Sequence, residues 1–130
     1  MIKIALCDDN EVERRLLRKI VTAVLRELHQ EVLIVEFSSG EKLQRNFSRG
    51  DYDLIFLDVF MKEMDGIATG RAIRKKDVKV EIILATGSDQ YLREGYELHA
   101  FAYLMKPYDV MQVRATICDY FSRNQVSTHA

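Results

Sequence analysis

The sequence has few cysteines, no long apolar run and almost no net charge. Its two cysteines, Cys7 and Cys118, lack metal-ligand spacing and both lie in predicted core elements, so we expect reduced, buried thiols. The apolar N-terminus is too short for a signal peptide, and no stretch is long enough to span a bilayer, so a cytoplasmic protein without membrane contact is predicted. The formal net charge of −1 provides no long-range attraction for a polyanion, so this segment alone is not expected to bind DNA.

Five short apolar runs alternate with amphipathic stretches. The runs predict strands at residues 2–7, 32–37, 52–57, 80–85 and 101–105. This alternation predicts an α/β fold, in which a parallel sheet with right-handed crossovers carries helices on both faces. The length and the 48% hydrophobic content fit one compact domain. Residues 122–130 carry no apolar stripe and are predicted to be a tail or the stub of a linker.

Capping residues mark where the helices begin. Asn10 with Glu13, and Ser38 with Glu41, have the spacing of a capping pair. Later helices are expected to begin at Asp65, at Ser88 or Asp89, and at Asp109, and Gly50 is expected to stop the second helix. The apolar stripe of the first helix is predicted to contain Val12, Leu16, Leu17, Ile20, Val21, Val24, Leu25 and Leu28, and that of the last helix Val110, Val113, Ile117, Tyr120 and Phe121.

Polar side chains follow four of the predicted strands. Asp8 and Asp9 follow the first strand, and Asp58, Thr86 and Lys106 follow the third, fourth and fifth. Because the carboxyl ends of parallel strands share one edge, we expect these groups to converge. Carboxylates ~4 Å apart repel by ~4 kcal/mol at an effective dielectric near 20, so an ionised cluster requires a cation. Oxygen ligands without a nearby His or Cys favour Mg²⁺.

These residue types suit phosphoryl transfer. A carboxylate beside Mg²⁺ can attack a phosphoryl group to form an acyl phosphate, while Lys106 offers an ammonium and Thr86 a hydroxyl to its oxygens. Simpler interpretations remain open: Asp8 and Asp9 as a helix cap, Thr86 as a cap of the next helix, and Lys106 as a solvated lysine before a turn.

The order Asp8-Asp9, Asp58, Thr86 and Lys106-Pro107 on successive strand ends resembles the receiver domain of bacterial two-component response regulators, over residues 1 to 121. The loop residues Met61, Met64, Asp65 and Gly66 also match this family. The segments 88–91 (Ser-Asp-Gln-Tyr) and 100–107 (Ala-Phe-Ala-Tyr-Leu-Met-Lys-Pro) resemble receivers attached to LytTR-type (LytR/AgrA-like) DNA-binding domains.

The resemblance implies a flavodoxin-like, doubly wound sheet of order 2-1-3-4-5 and a role for each site residue. Asp58 would be the phosphoacceptor, with Mg²⁺ held by Asp9, Asp8, Asp58 and the backbone carbonyl of Phe60. Lys106 would pair with the acyl phosphate, and the Lys106-Pro107 bond would be cis. Thr86 and Tyr103 would form a switch pair, although a tyrosine in an edge strand is commonly plain half-buried packing.

The implied partners are a sensor histidine kinase and a second copy bound through the face of the fourth helix, fifth strand and fifth helix. DNA would be contacted only through a following effector domain that controls transcription; a stand-alone receiver acting by protein contacts is the alternative. Only self-phosphorylation and self-dephosphorylation are expected, rather than enzymatic turnover.

Three residues depart from the family pattern: Lys62 stands in place of proline, His99 in place of glycine or a polar residue, and Ala102 in place of aspartate. None of them removes a catalytic group. His29, His99 and His129 show no mutual spacing and are expected at the surface or in the tail.

Two other function classes fit the residues less well. A haloacid dehalogenase-like phosphatase needs a second acid two residues after the nucleophile, where this chain has Phe60. A flavodoxin-like mononucleotide binder needs a phosphate loop after the first strand, where Asp8-Asp9-Asn10-Glu11 would repel phosphate unless a metal intervenes.

Overall fold

Five parallel strands form one sheet in the order β2-β1-β3-β4-β5, which confirms the predicted topology. The structure is a computed structural model and describes residues 1–62 and 64–125, except for the side chain at 125. The strands are β1 (Ile2–Cys7), β2 (Val32–Phe37), β3 (Leu54–Asp58), β4 (Glu81–Thr86) and β5 (Ala102–Met105). The helices are α1 (Glu11–Glu27), α2 (Gly40–Arg45), α3 (Gly66–Lys76), α4 (Leu92–Glu97) and α5 (Val110–Gln125).

The sheet has one apolar core on each face. The core under α1 and α5 includes Ile4, Leu6, Phe56, Leu25 and Ile117. The opposite core, under α2, α3 and the end of α4, includes Ala5, Ile55, Leu57, Leu43 and Ile73. Successive residues of β1 and β3 point to opposite faces, and both faces are covered, so the two strands are apolar apart from the exposed Lys3 and the terminal Asp58. Each fully buried Leu or Ile contributes roughly 1.5–3 kcal/mol of transfer free energy, which makes the central strands the most firmly held part of the fold.

Three of the predicted helix caps are confirmed, including that of α5, where the Asp109 side chain accepts a hydrogen bond from the Met111 N–H. The Asn10 side chain accepts a hydrogen bond from the Glu13 N–H, and the Asp65 side chain accepts one from the Ala68 N–H. Ser38 was the wrong serine for α2, because it is Ser39 whose hydroxyl accepts from Lys42 N.

The predicted cap of α4 is also wrong. The helix begins after Tyr91 without a side-chain cap, and the Ser88 hydroxyl instead accepts a hydrogen bond from Gln90 N. The first turn of this six-residue helix is therefore not held by a capping side chain.

Several element boundaries differ from the prediction. Helix α2 ends at Arg45, before the turn in which Gly50 adopts a φ of +85°. Strands β3 and β4 include Asp58 and Thr86 as their last residues, rather than ending just before them. Helix α5 continues to Gln125, so residues 122–125 extend a helix rather than begin a tail. The remaining predicted tail, with His129, lies outside the described residues.

Parts of the predicted apolar stripes are exposed. Val12, Leu16 and Val110 are exposed in the N-terminal turns of α1 and α5, although each fits the apolar period of its helix. Cys7 is buried, and burial, with the neighbouring charge of Asp8, raises the pKa of its thiol to about 12. The prediction of a buried thiol fails for Cys118, which is partly exposed on α5.

Arg74 fastens the end of α4 to α3. Its guanidinium donates hydrogen bonds to the carbonyl oxygens of Leu98 (2.7 Å), His99 (3.2 Å) and Val80 (2.6 Å). The bonds to Leu98 and His99 satisfy carbonyls at the end of α4, and the bond to Val80 joins α3 to the start of β4. His99 follows with a φ of 55°, a left-handed conformation in which glycine is usual, and His29 has the same φ after α1. Both histidines are at the surface, as predicted.

No helix among the described residues is long and apolar enough to cross a membrane.

Candidate functional site

Three aspartates meet at the carboxyl edge of the sheet. Strands β1 and β3 are neighbours in a register that pairs Cys7 with Leu57, so Asp8 and Asp58 are the next residues along adjacent strands. One carboxylate oxygen from each of Asp8, Asp9 and Asp58 lies within 4.8 Å of the others. Asp8 and Asp58 are buried, and Asp9 is more exposed. The predicted convergence of the acids is therefore present in the structure.

Lys106 crosses from β5 to these acids. Its Nζ lies 2.9 Å from Asp8 Oδ2, 3.1 Å from Asp58 Oδ1 and 2.9 Å from Glu13 Oε1. The lysine side chain is only 11% exposed, so it is not the solvated lysine of the simpler interpretation. The peptide bond that follows it, to Pro107, is cis.

Negative charge is in excess at this edge. Burial raises the pKa of Asp58 to about 7, and the charge of Asp8 adds to the effect, while Lys106 opposes it. The pKa of Lys106 lies above its ordinary value: burial lowers it, but hydrogen bonds to Glu13 and Asp8 and the charge of Asp58 outweigh burial. One ammonium therefore faces more carboxylates than it neutralises. An all-oxygen donor set with surplus negative charge fits a hard divalent cation such as Mg²⁺.

Backbone contacts hold the first two acids in place. The Arg14 guanidinium donates to the carbonyl oxygen of Asp8 at 2.7 Å, and Glu36 orients Arg14 through a 2.8 Å ion pair. Asp8 Oδ1 also accepts from Asn10 N at 2.9 Å, and Asp9 Oδ2 accepts from Lys62 N at 3.1 Å. Lys62, which stands where the family has proline, thus binds Asp9 through a backbone N–H that proline lacks.

Thr86, Ser88 and Tyr103 form a hydrogen-bonded series beside the acids. Thr86 is fully buried, and its Oγ1 accepts from Ser88 N at 3.3 Å. The Tyr103 hydroxyl donates to Ser88 O at 2.9 Å, and burial raises its pKa. Thr86 and Tyr103, the predicted switch pair, are therefore both hydrogen-bonded to Ser88, in the loop that follows β4.

The loop after Asp58 is kept close to the strand by Gly66. A Cβ at residue 66 would lie 2.2 Å from Asp58 O and 2.8 Å from Val59 Cα, so any larger residue would push the loop away. The Phe60 ring is 48% exposed and makes an edge-to-face contact with Tyr91, with centroids 5.1 Å apart. Phe60 thus lies in the loop beside the acid cluster, with its side chain directed to the start of α4 rather than into the core.

Glu13 and Arg14 are parts of the site that the sequence patterns did not reveal. Both lie on α1 and contact residues of the cluster directly. The spacing of Glu13 indicated only a capping residue. The one available signal was its place on the first turn of the helix that follows Asp8 and Asp9.

The order of the strands, with buried acids and a lysine at the carboxyl edge, defines a receiver-type α/β domain. The model of the response regulator receiver domain family matches residues 4–118. The chain belongs to the response regulator receiver domain family.

The similar proteins agree with this assignment. The chain is 30% identical over 124 residues, 95% of its length, to the transcriptional regulatory protein NatR of Bacillus subtilis, and covers 51% of NatR. It is 38% identical over 66 residues, 51% of its length, to the transcriptional regulatory protein LytR of Staphylococcus aureus, and covers 27% of LytR. These relatives are consistent with the LytTR-type resemblance. The chain therefore spans about half the length of NatR and a smaller share of LytR.

A solved receiver domain has a similar structure. The receiver domain of the response regulator AraT from Geobacillus stearothermophilus matches with a TM-score of 0.81 and 26% identity, over 98% of both chains. The sheet order and the arrangement of the five helices are therefore those of the receiver fold.

Proposed function

We propose that Asp58 accepts a phosphoryl group from a sensor histidine kinase and that this phosphorylation controls an output. The single observation that carries the proposal is the contact of Lys106 with both Asp8 and Asp58, in a cluster that Asp9 completes. A phosphoryl group on Asp58 would find an ammonium on one side and metal ligands on the other.

Asp8, Asp9, Asp58 and the backbone carbonyl of Phe60 would hold Mg²⁺. When bound, the ion offsets the negative charge of the carboxylates and of the phosphoryl oxygens. The surplus of carboxylates around Lys106 supports this assignment, because the cluster needs a further cation before the buried Asp58 is fully ionised at neutral pH.

The chain's own residues account for the rest of the chemistry. A carboxylate oxygen of Asp58 forms the new bond to phosphorus as the bond from phosphorus to the kinase histidine nitrogen breaks, and that nitrogen keeps the electron pair. Lys106 donates a hydrogen bond to a phosphoryl oxygen, and the Thr86 hydroxyl turns to donate another. Release of the group by water returns Asp58 to its first state, so no enzymatic turnover of an outside substrate is required.

The switch would run through Ser88. If Thr86 turns toward the phosphoryl group, Ser88 N loses its acceptor, and the contact between Ser88 and Tyr103 is then free to rearrange. The α4-β5-α5 face carries exposed apolar side chains, Tyr96, Met105 and Met111 among them, which supports its use as a homodimer surface.

The receiver domain would extend through the end of α5 at Gln125, beyond the predicted boundary at residue 121. The similarity to NatR and LytR supports transcriptional control through a LytTR-type DNA-binding domain in a longer, cytoplasmic protein. A stand-alone receiver that acts by protein contacts is the alternative. Testing the full-length gene product for binding to promoter DNA would distinguish the two alternatives. Phosphorylation-dependent binding would support transcriptional control, and no binding would support a stand-alone receiver.

The direct test is phosphorylation by acetyl phosphate with Mg²⁺, followed by intact-protein mass spectrometry. The native chain is expected to gain one phosphoryl group, and Asp58→Ala is expected to gain none. Asp119→Asn is the matched control, because it removes an exposed carboxylate far along α5. No gain in the native chain, or an equal gain in Asp58→Ala, would refute the proposal.

A further inference from the structure

Lys106 has a third carboxylate partner that does not belong to the aspartate cluster. Glu13, on the first turn of α1, places Oε1 2.9 Å from Lys106 Nζ, as close as the Asp8 contact and closer than the Asp58 contact. The two residues are 93 positions apart in sequence, so this contact exists only in the fold.

The ammonium group is already engaged by three carboxylates. Lys106 donates hydrogen bonds to Asp8 and Glu13, and its Nζ also lies 3.1 Å from Asp58 Oδ1 in an ion pair. A phosphoryl group on Asp58 must therefore compete with these carboxylates for the three N–H donors of Lys106.

Glu13 is the partner that is most easily released. Its side chain is 37% exposed, whereas those of Asp8 and Asp58 are 5% exposed. A freed Glu13 carboxylate regains water, but a freed Asp8 carboxylate would remain buried without its ammonium, which is far more costly.

We propose that Glu13 is a positioning residue that competes with the phosphoryl group for Lys106 and so slows phosphorylation of Asp58. The inference rests on the proposed function of Asp58 and adds regulation of that same site. Glu13 acts through Lys106, because its own negative charge would repel a phosphoryl group. Loss of that charge frees one N–H of Lys106 for the incoming group.

The chain offers a matched control on the same helix turn. Glu11 is also acidic and in the first turn of α1, but it pairs with Arg15 at 2.7 Å, and both side chains are largely exposed. Glu11→Gln therefore changes the net charge of the protein by the same amount as Glu13→Gln without touching Lys106. Of the other charged side chains nearby, Arg14 is occupied by Glu36 and by the Asp8 carbonyl in both variants.

The test compares the native chain, Glu13→Gln and Glu11→Gln. Phosphorylation by acetyl phosphate with Mg²⁺ is followed by mass spectrometry, and Mg²⁺ affinity is measured by calorimetry without a phosphodonor. Glu13→Gln is expected to be phosphorylated about 2- to 5-fold faster at saturating Mg²⁺, the size of one partly exposed ion pair. Its Mg²⁺ affinity is expected to fall by about 2-fold, since Lys106 then pairs more fully with the aspartates. A purely structural effect would lower both quantities, so the opposite signs identify the competition.

A double variant tests whether Lys106 carries the effect. Adding Glu13→Gln to Lys106→Met is expected to change the rate of phosphorylation by less than the same substitution does in the native background. The inference is overturned if Glu13→Gln matches the native chain or Glu11→Gln, or if its effect persists unchanged without Lys106. If the native chain is not phosphorylated at all, the proposed function fails and this inference falls with it; if only the Glu13 effect is missing, the proposed function stands.

Discussion

Replacing Asp58 by asparagine should stabilise the metal-free protein, although it removes the group on which the proposed function depends. The pKa of Asp58 is raised from 3.8 to about 7, chiefly by burial and then by the charge of Asp8. Above pH 7 the folded state therefore contains an ionised carboxylate that water would solvate far better. Three pKa units correspond to about 4 kcal/mol of unfolding free energy, and asparagine, which is neutral and of the same shape, should recover up to that amount at pH 8.

The sign of the pH dependence follows from proton binding. Between about pH 4 and pH 7 the folded wild-type chain binds a proton at Asp58 that the unfolded chain does not, so its stability falls as the pH rises and levels off above pH 7. The advantage of Asp58→Asn should therefore shrink to about 1–2 kcal/mol at pH 5.

Urea unfolding at pH 8 and pH 5, with and without Mg²⁺, measures these quantities. At a concentration 100 times its dissociation constant, Mg²⁺ should raise the unfolding free energy of the wild-type chain by about 2.7 kcal/mol. It should raise that of Asp58→Asn by less, so the difference in stability between the two proteins becomes smaller. Asp119→Asn is the control, with an expected change of less than about 0.5 kcal/mol. If Asp58→Asn is no more stable than the wild type at pH 8 without metal, the account of surplus negative charge at this edge is wrong.

Three further predictions concern the end of α4 and the loop after Asp58. Arg74→Met should lower the unfolding free energy by about 1–3 kcal/mol and speed amide exchange near residues 98 and 99, because partly buried carbonyls lose their donors. Arg71→Met, at an exposed residue, should change the unfolding free energy little, and equal losses in both variants would contradict this role of Arg74. His99→Gly should raise the unfolding free energy by about 0.5–1 kcal/mol in thermal or urea unfolding, because glycine adopts a φ of 55° without strain. A lower unfolding free energy would show that contacts of the histidine side chain stabilise the fold. Gly66→Ala should leave the cooperative urea transition in place but weaken Mg²⁺ binding in calorimetry, because a Cβ at residue 66 would displace the backbone of Asp58; native affinity would show that the loop adjusts freely.

The sheet and the convergence of the acids could be predicted because both follow from topology. Once Asp58 is recognised at the end of an apolar strand, the edge shared by parallel strands brings it near Asp8, and the structure shows the two on neighbouring strands. The strand order itself came from the resemblance to receivers and is confirmed.

Features that depend on side-chain direction could not be predicted. Nothing in the spacing of Glu13 and Lys106 indicates their contact, because it depends on the rotation of α1 and on the reach of two long side chains. Ser38 has capping-pair spacing with Glu41, but Ser39 is the serine whose hydroxyl accepts from Lys42 N, and the sequence does not show which of two adjacent serines will do so. Val12 fits the apolar period of α1 but is 77% exposed, which a periodic pattern does not reveal.

The register of β1 against β3 ties the chemistry of the domain to its core. Strand β1 also pairs with β2 from Ile2 through Cys7, so it is fixed on both sides. A single inserted residue in β1 would reverse which of its side chains face each core and would also carry Asp8 out of reach of Asp58. We therefore expect β1 to tolerate substitutions but not insertions or deletions. Variants with an insertion or deletion in β1 should be absent from a library selected only for folding.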